Sequence, residues 1–208
     1  ISNNKKIAVV QNGIVENFQE LKKFFQEHGF TFYSETDTEV IPNLIELEMH
    51  NGKDFVEATK LALKKIEGYY AVLALHENER KIVAARRGSP LVIGLAKNET
   101  FIASDIPAFL EHTKKVVYLY DDDFVVVDEN GLSQTFNLRE WKPVERKTYT
   151  IDWDMEQAQK GNFDHFMMKE ISEQVDTVQR ALKQDEKVLL EVAEDIKNSK
   201  GIFLIACG

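Results

Sequence analysis

Tyr70-Ala71-Val72-Leu73-Ala74-Leu75-His76-Glu77-Asn78-Glu79-Arg80-Lys81-Ile82-Val83-Ala84-Ala85 holds two short apolar runs around a polar break. Each run has the length of a strand, and the break suits a hairpin. Further strand-like runs follow at Leu91–Leu95, Thr100–Ala103, Val116–Leu119 and Phe124–Val127. Ser104 or Asp105 is placed to cap a short helix, and Glu129-Asn130-Gly131 is a strong turn signal. Sequential strands with short links pair antiparallel. With helices grouped apart from them, the class is α+β.

The helices lie on the N-terminal side of that hairpin. Glu16 to His28 has helical period, with Phe18, Leu21, Phe24 and Phe25 on the apolar face and Gly29 as the stop. Phe30-Thr31-Phe32-Tyr33 alternates like a short strand. Ser34-Glu35-Thr36-Asp37-Thr38-Glu39 offers hydroxyls and carboxylates to a helix N-terminus. The helix it opens carries Val40, Ile41, Leu44, Ile45 and Leu47, and a third helix spans about Asp54 to Ile66. Ahead of them all, Ile7-Ala8-Val9-Val10 reads as a buried strand that closes in a turn at Gln11-Asn12-Gly13.

C-terminal to the strands, residues 138–164 are polar, contain Pro143 and lack sustained period. They read as the exit from a first domain over 1–137. A second region over 165–208 begins with amphipathic helices at about Phe166–Leu182 and Glu186–Lys197. Gly201-Ile202-Phe203-Leu204-Ile205-Ala206 is a continuous apolar run, as in a strand buried on both faces of a parallel sheet. A chain that opens on a buried strand and stops at such a strand is expected to be an internal piece of a longer protein.

Composition narrows the function. In 208 residues, 43% are hydrophobic and 29% charged, an ordinary globular balance. Asp and Glu number 35 against 26 Lys and Arg, and the net charge of -9 repels phosphate backbones and argues against nucleic acid. Cys207 is the single cysteine, so no intrachain disulfide can form, and a reducing, cytoplasmic setting fits. No apolar run approaches the roughly 20 residues of a membrane span. The five histidines lack metal-ligand spacing, so no metal site is expected. The Met167-Met168 pair reads as packing.

Several short motifs have two readings each. Asn12-Gly13 pairs a side-chain amide with a flexible backbone N–H and can donate to an oxyanion, though the dipeptide by itself is mostly a simple turn. Asp37 at a helix mouth can hold an ammonium or merely cap. Arg86-Arg87-Gly88-Ser89-Pro90 can meet an anion or form a solvated turn. Cys207 sits where parallel strands present ligands, or is a buried structural thiol.

Taken in order, these stretches carry more. Gln11-Asn12-Gly13-Ile14-Val15-Glu16-Asn17, Ser34-Glu35-Thr36-Asp37-Thr38-Glu39-Val40-Ile41, Arg87-Gly88-Ser89-Pro90-Leu91-Val92-Ile93-Gly94 and Ile102-Ala103-Ser104-Asp105 closely resemble the glutaminase domain of the glutamine–fructose-6-phosphate aminotransferase family. So do His165-Phe166-Met167-Met168-Lys169-Glu170-Ile171 and Glu173-Gln174. The terminal Ile205-Ala206-Cys207-Gly208 is similar to the first strand of that family's sugar-isomerase (SIS) domain.

The resemblance implies an N-terminal-nucleophile αββα sandwich, incomplete at its N-terminus, followed by helices and the first strand of an α/β domain. It implies that an N-terminal cysteine attacks the side-chain amide of glutamine, with its own amine as base. The ammonia released converts fructose-6-phosphate to glucosamine-6-phosphate. Asn12 and Gly13 then match the oxyanion hole, and Asp37 the ligand of the glutamine α-ammonium. Cys207 and Gly208 match the edge of the sugar-phosphate loop. No cofactor is implied, and a homodimer is.

Gln11 departs from a common histidine, and little effect is expected. No cysteine precedes Asn12, and the arginine loop for the glutamine carboxylate is missing, so these 208 residues alone are expected to be inactive. Two alternatives stand beside this reading: another glutamine amidotransferase of the same fold, such as an amidophosphoribosyltransferase, and a non-catalytic binding module.

Overall fold

The computed structural model describes residues 1–152, 163, 165–183 and 185–203. The chain divides into two compact units, Ile1–Met155 and Glu156–Gly208. The first is α+β, and its strands pair antiparallel throughout the described residues.

Among the described residues, ten strands form two sheets. They are β1 (Ile7–Val15), β2 (Gly68–His76), β3 (Lys81–Arg87), β4 (Val92–Leu95), β5 (Thr100–Ala103), β6 (Lys115–Tyr118), β7 (Asp123–Asp128), β8 (Gly131–Asn137), β9 (Lys142–Pro143) and β10 (Thr148–Thr150). The larger sheet runs β1-β2-β3-β7-β8-β9 and the smaller β10-β6-β4-β5. The expected hairpin is β2–β3, with Tyr70 opposite Arg87 and Leu75 opposite Ile82.

Period-2 alternation sorts the core into two layers. Tyr70, Val72, Ala74, Val83, Ala85, Phe124 and Val126 face three helices: α1 (Phe18–Glu27), α2 (Val40–His50) and α3 (Phe55–Lys64). Ala71, Ala84, Val125 and Val127 face the second sheet and meet Leu91, Ile93 and Val117. Asp54 caps α3, its side chain accepting from the Glu57 N–H at 2.9 Å. Asp105 caps the 3-10 turn Ile106–Ala108, and buried Phe109 just beyond it lies against Gly94 of β4.

Four local expectations are corrected. Gln11-Asn12-Gly13 is not a turn: β1 runs straight through it, in unbroken register with β2 from Ile7 opposite His76 to Val15 opposite Gly68. Residues 30–33 form no strand, because the Thr31 N–H bonds the Asn3 side chain and the Tyr33 N–H bonds Glu39. Phe24 lies on the exposed side of α1, while Phe25 is fully buried. Arg86 and Arg87 are ion-paired rather than solvated.

Strand β8 was not anticipated from the sequence. Strands β9 and β10 fall within the stretch 138–164 expected to lead out of the first domain. Both are edge strands, and an edge position in β9 tolerates Pro143, whose nitrogen cannot donate to a ladder. Trp141 fixes this segment, stacking on Phe136 at 4.7 Å with Lys60 4.2 Å above its ring.

In the second unit, α4 (Phe166–Leu182) and α5 (Glu186–Asn198) lie where helical period placed them. Ile171, Val175, Val178 and Leu182 form an exposed stripe on α4. Gly201–Phe203 have no regular structure, and the rest of the expected strand, with Cys207 and Gly208, lies outside the described residues. Among the described residues, no helix is long and apolar enough to cross a membrane.

Candidate functional site

The site is built on the free edge of β1. In an antiparallel pair, alternate residues turn their backbone groups toward the partner strand and the others turn away. The Ile7 N–H bonds the Ser2 hydroxyl, and the Ile7 carbonyl accepts from the Ser2 N–H. The Val15 N–H bonds Asp37. The odd-numbered residues of β1 therefore direct their backbone to the open edge, and Gly13 shares that parity.

Gly13 has no substitute here. Its φ is +147°, and a Cβ would lie 2.0 Å from the Tyr69 carbonyl oxygen. Glycine lets the β2 backbone close onto β1 while the chain takes a conformation L residues rarely adopt. The neighbouring Asn12 side chain is exposed. It borders a cavity of about 220 Å3 lined also by Ala71, Leu73, Leu91, Ile102 and Ser104.

Asp37 opens a short 3-10 turn, Asp37–Glu39, that leads into α2. The Thr36 hydroxyl oxygen caps this turn by accepting from the Thr38 N–H. Asp37 does not cap. Its Oδ2 accepts from the Val15 N–H at 2.7 Å, and its Oδ1 has only a 3.4 Å contact from the Thr36 hydroxyl. One carboxylate oxygen is thus spent on β1 and the other is largely open. The Thr38 hydroxyl donates to Gln11 Oε1 at 2.6 Å, so the turn meets β1 again two residues before Gly13. Thr36, Thr38, Ser34, Glu39 and Val9 line a larger cavity of about 500 Å3.

Glu39 holds the base of the turn. Burial pushes its carboxyl up, but bonds from the Ser34 hydroxyl and the Tyr33 and Ser34 N–H groups outweigh this and leave it below its ordinary value. The structure thus brings Asn12, Gly13 and the Asp37 turn to one strand edge. Cys207 and Gly208 lie outside the described residues.

Arg86 and Arg87 do not join this group. Arg86 pairs with Asp121 at 2.9 Å and Arg87 with Asp122 at 2.8 Å. Arg146 grips buried Asp123 through two nitrogens, at 2.6 and 2.7 Å. Hydrogen bonding to Asp123 raises the Arg146 guanidinium above its ordinary value. Three consecutive aspartates thereby tie β3, β7 and the segment after β9 together. Tyr70, opposite Gly13, is pushed up to about 12 by burial of its hydroxyl, which has no hydrogen-bond partner among the described residues.

Sequence reasoning missed the Gln11–Thr38 contact. Its only signal was a hydroxyl-rich turn, and nothing local pairs residue 38 with residue 11.

A glutamine amidotransferase domain model matches residues 1–111. Glutamine–fructose-6-phosphate aminotransferase (isomerizing) of Methanothermobacter thermautotrophicus is 45% identical over 98% of this chain and 34% of its own length. The enzyme of the same name from Thermus thermophilus is 44% identical over 98% of this chain and 34% of its own length. The chain spans about a third of the length of these relatives. Among solved structures, the glutamine phosphoribosylpyrophosphate amidotransferase of B. subtilis superposes with a TM-score of 0.55 at 24% identity, over 65% of this chain and 30% of that one, a likeness of fold alone. The chain belongs to the glutamine amidotransferase domain family.

Proposed function

We propose, with membership of the glutamine amidotransferase domain family as the premise, that this chain supplies part of the glutamine site of a glutamine–fructose-6-phosphate aminotransferase. The observation that carries the reading is the anchoring of Asp37 to the strand that bears Asn12 and Gly13. Similarity to relatives of that name along 98% of the chain supports it.

The α-ammonium of glutamine pairs with the open oxygen of Asp37. The side-chain carbonyl oxygen of glutamine lies against the Asn12 amide and the Gly13 N–H. An attacking thiolate, which the resemblance places ahead of Ile1, adds to that carbonyl, and negative charge develops on its oxygen. Donors fixed beforehand on a strand stabilise this charge without reorganising. Collapse of the adduct expels ammonia as the amide nitrogen takes up a proton. Water then cleaves the thioester to glutamate. The ammonia condenses with the carbonyl of fructose-6-phosphate, and isomerisation gives glucosamine-6-phosphate.

In this reading residues 1–137 belong to a glutaminase domain of the N-terminal-nucleophile αββα type. Residues 138–164 lead out of it, and 165–208 begin a sugar-isomerase domain. Cys207 and Gly208 stand at the edge of its sugar-phosphate loop. The enzyme works as a cytoplasmic homodimer formed through the isomerase half.

The test is to incubate the full-length gene product with glutamine and fructose-6-phosphate. Glutamate and glucosamine-6-phosphate should form in equal amounts. Glutamate without sugar amine would overturn the acceptor, and absence of both would overturn the reading.

A further inference from the structure

We propose that Gln11 is a positioning residue whose amide, bonded to the Thr38 hydroxyl, holds the Asp37 turn in register with Asn12 and Gly13. The inference rests on the glutamine-site reading above and names a device within it.

Two tethers join the turn to β1, and they flank Gly13. One is the Val15 N–H to Asp37 Oδ2 at 2.7 Å. The other is the Thr38 hydroxyl to Gln11 Oε1 at 2.6 Å. The first engages the carboxylate itself and, acting alone, leaves Asp37 free to pivot about one bond. The second adds a fixed point one residue along the turn and leaves Oδ1 untouched. The Thr36 cap on the Thr38 N–H makes the turn stiff enough to pass that constraint to its neighbour.

Stability alone does not account for the amide. Gln11 Nε2 is buried and has no hydrogen-bond partner among the described residues. Turning the amide over keeps one bond to Thr38 and orphans the oxygen instead. In either orientation a buried polar atom goes unmatched, which a well-packed apolar side chain would avoid. What the amide supplies is a directed bond of fixed length to the substrate-binding turn. Asp37 holds the α-ammonium, which does not react, so loosening it weakens ground state and transition state alike and raises KM with kcat unchanged.

Thr38→Val removes the hydroxyl at nearly constant shape, Gln11→Met removes the amide, and Thr38→Ser keeps the donor. Steady-state glutamate production by the full-length protein gives kcat and KM for glutamine. In Thr38→Val and Gln11→Met, KM should rise about tenfold with kcat within about twofold of the parent. The double variant should be no worse than either single one, because both lose the same bond. Thr38→Ser should restore KM to within about threefold. Gln11→Met should melt at or above the parent temperature, an outcome opposite to that of a purely structural residue.

Unchanged KM in both single variants, or effects that multiply in the double, would overturn the proposal. Asp37→Asn is measured alongside. If it raises KM while Thr38→Val does not, the positioning role fails and the site reading stands. If Asp37→Asn also leaves KM unchanged, both fall.

Discussion

Asp37 Oδ2 lies 2.7 Å from the backbone nitrogen of Val15, two residues along the strand from Gly13. A carboxylate placed at a helix mouth by sequence is thus bonded to a neighbouring strand instead. Asp37→Asn retains an oxygen for the Val15 N–H and loses the charge. We expect a rise in KM for glutamine of about tenfold or more with the melting temperature kept within a few degrees. Initial-rate kinetics and thermal unfolding of the full-length protein check both halves.

Asn12→Ala should separate activity from stability in the other direction. The side chain is exposed, so unfolding free energy should change by no more than about 0.5 kcal/mol. Loss of an oxyanion donor should lower kcat for glutamine hydrolysis by about 10²–10³-fold. Denaturant unfolding and steady-state kinetics on one preparation are sufficient.

Gly13→Ala should fail as a structure before it fails as a catalyst. The added carbon would meet the Tyr69 carbonyl at 2.0 Å, and the φ of +147° is strained for alanine. A loss of about 2–4 kcal/mol is expected. Hydrogen exchange at β1 and β2 amides should rise with it, since the clash separates those two strands.

The Asp123–Arg146 pair gives a test outside the site, three strands across the sheet from Asn12. Asp123 is fully buried, and Asp123→Ala leaves the guanidinium unpaired, at a cost of about 3–5 kcal/mol. The double variant with Arg146→Ala should be less destabilised than the sum of the single changes. A double-mutant cycle by urea unfolding measures the coupling.

Acid stability follows from two carboxyls. The Gly88 N–H, then Arg86, hold Asp121 below its ordinary 3.8 against opposing burial. Glu39, despite burial, stands below its ordinary 4.5 through its bonds to Ser34 and Tyr33. A carboxyl with a lowered folded pKa binds its proton more readily when unfolded. Its contribution is therefore complete above the ordinary pKa and is lost as pH falls through the folded one. The melting temperature should drop on acidification below 4.5, and Glu39→Gln should shrink that drop.

The β2–β3 hairpin and helices α3, α4 and α5 were legible because their signals are local: two short apolar runs around a polar break, and helical period. Strand β1 was misread at Asn12-Gly13 because the dipeptide favours turns in isolation, and only pairing with Tyr69 and Tyr70 shows why glycine stands there. Phe30–Tyr33 imitates a strand in pattern, but the Thr31 and Tyr33 amides go to side chains and the Phe30 amide to the Phe25 carbonyl. Strands β9 and β10 are short and exposed, so no alternation marks them. In the site, Asn12, Gly13 and Asp37 came from the resemblance. The Gln11–Thr38 bond and the partners of Arg86 and Arg87 join residues far apart in sequence, so no local pattern encodes them.

The most direct measurement is a crystal structure of the full-length protein with bound glutamine, its attacking thiol removed by substitution. The account predicts the α-ammonium at about 3 Å from Asp37 Oδ1, with the side-chain carbonyl oxygen at similar range of the Asn12 amide and the Gly13 N–H. Glutamine bound elsewhere, or with its ammonium turned away from Asp37, would contradict it.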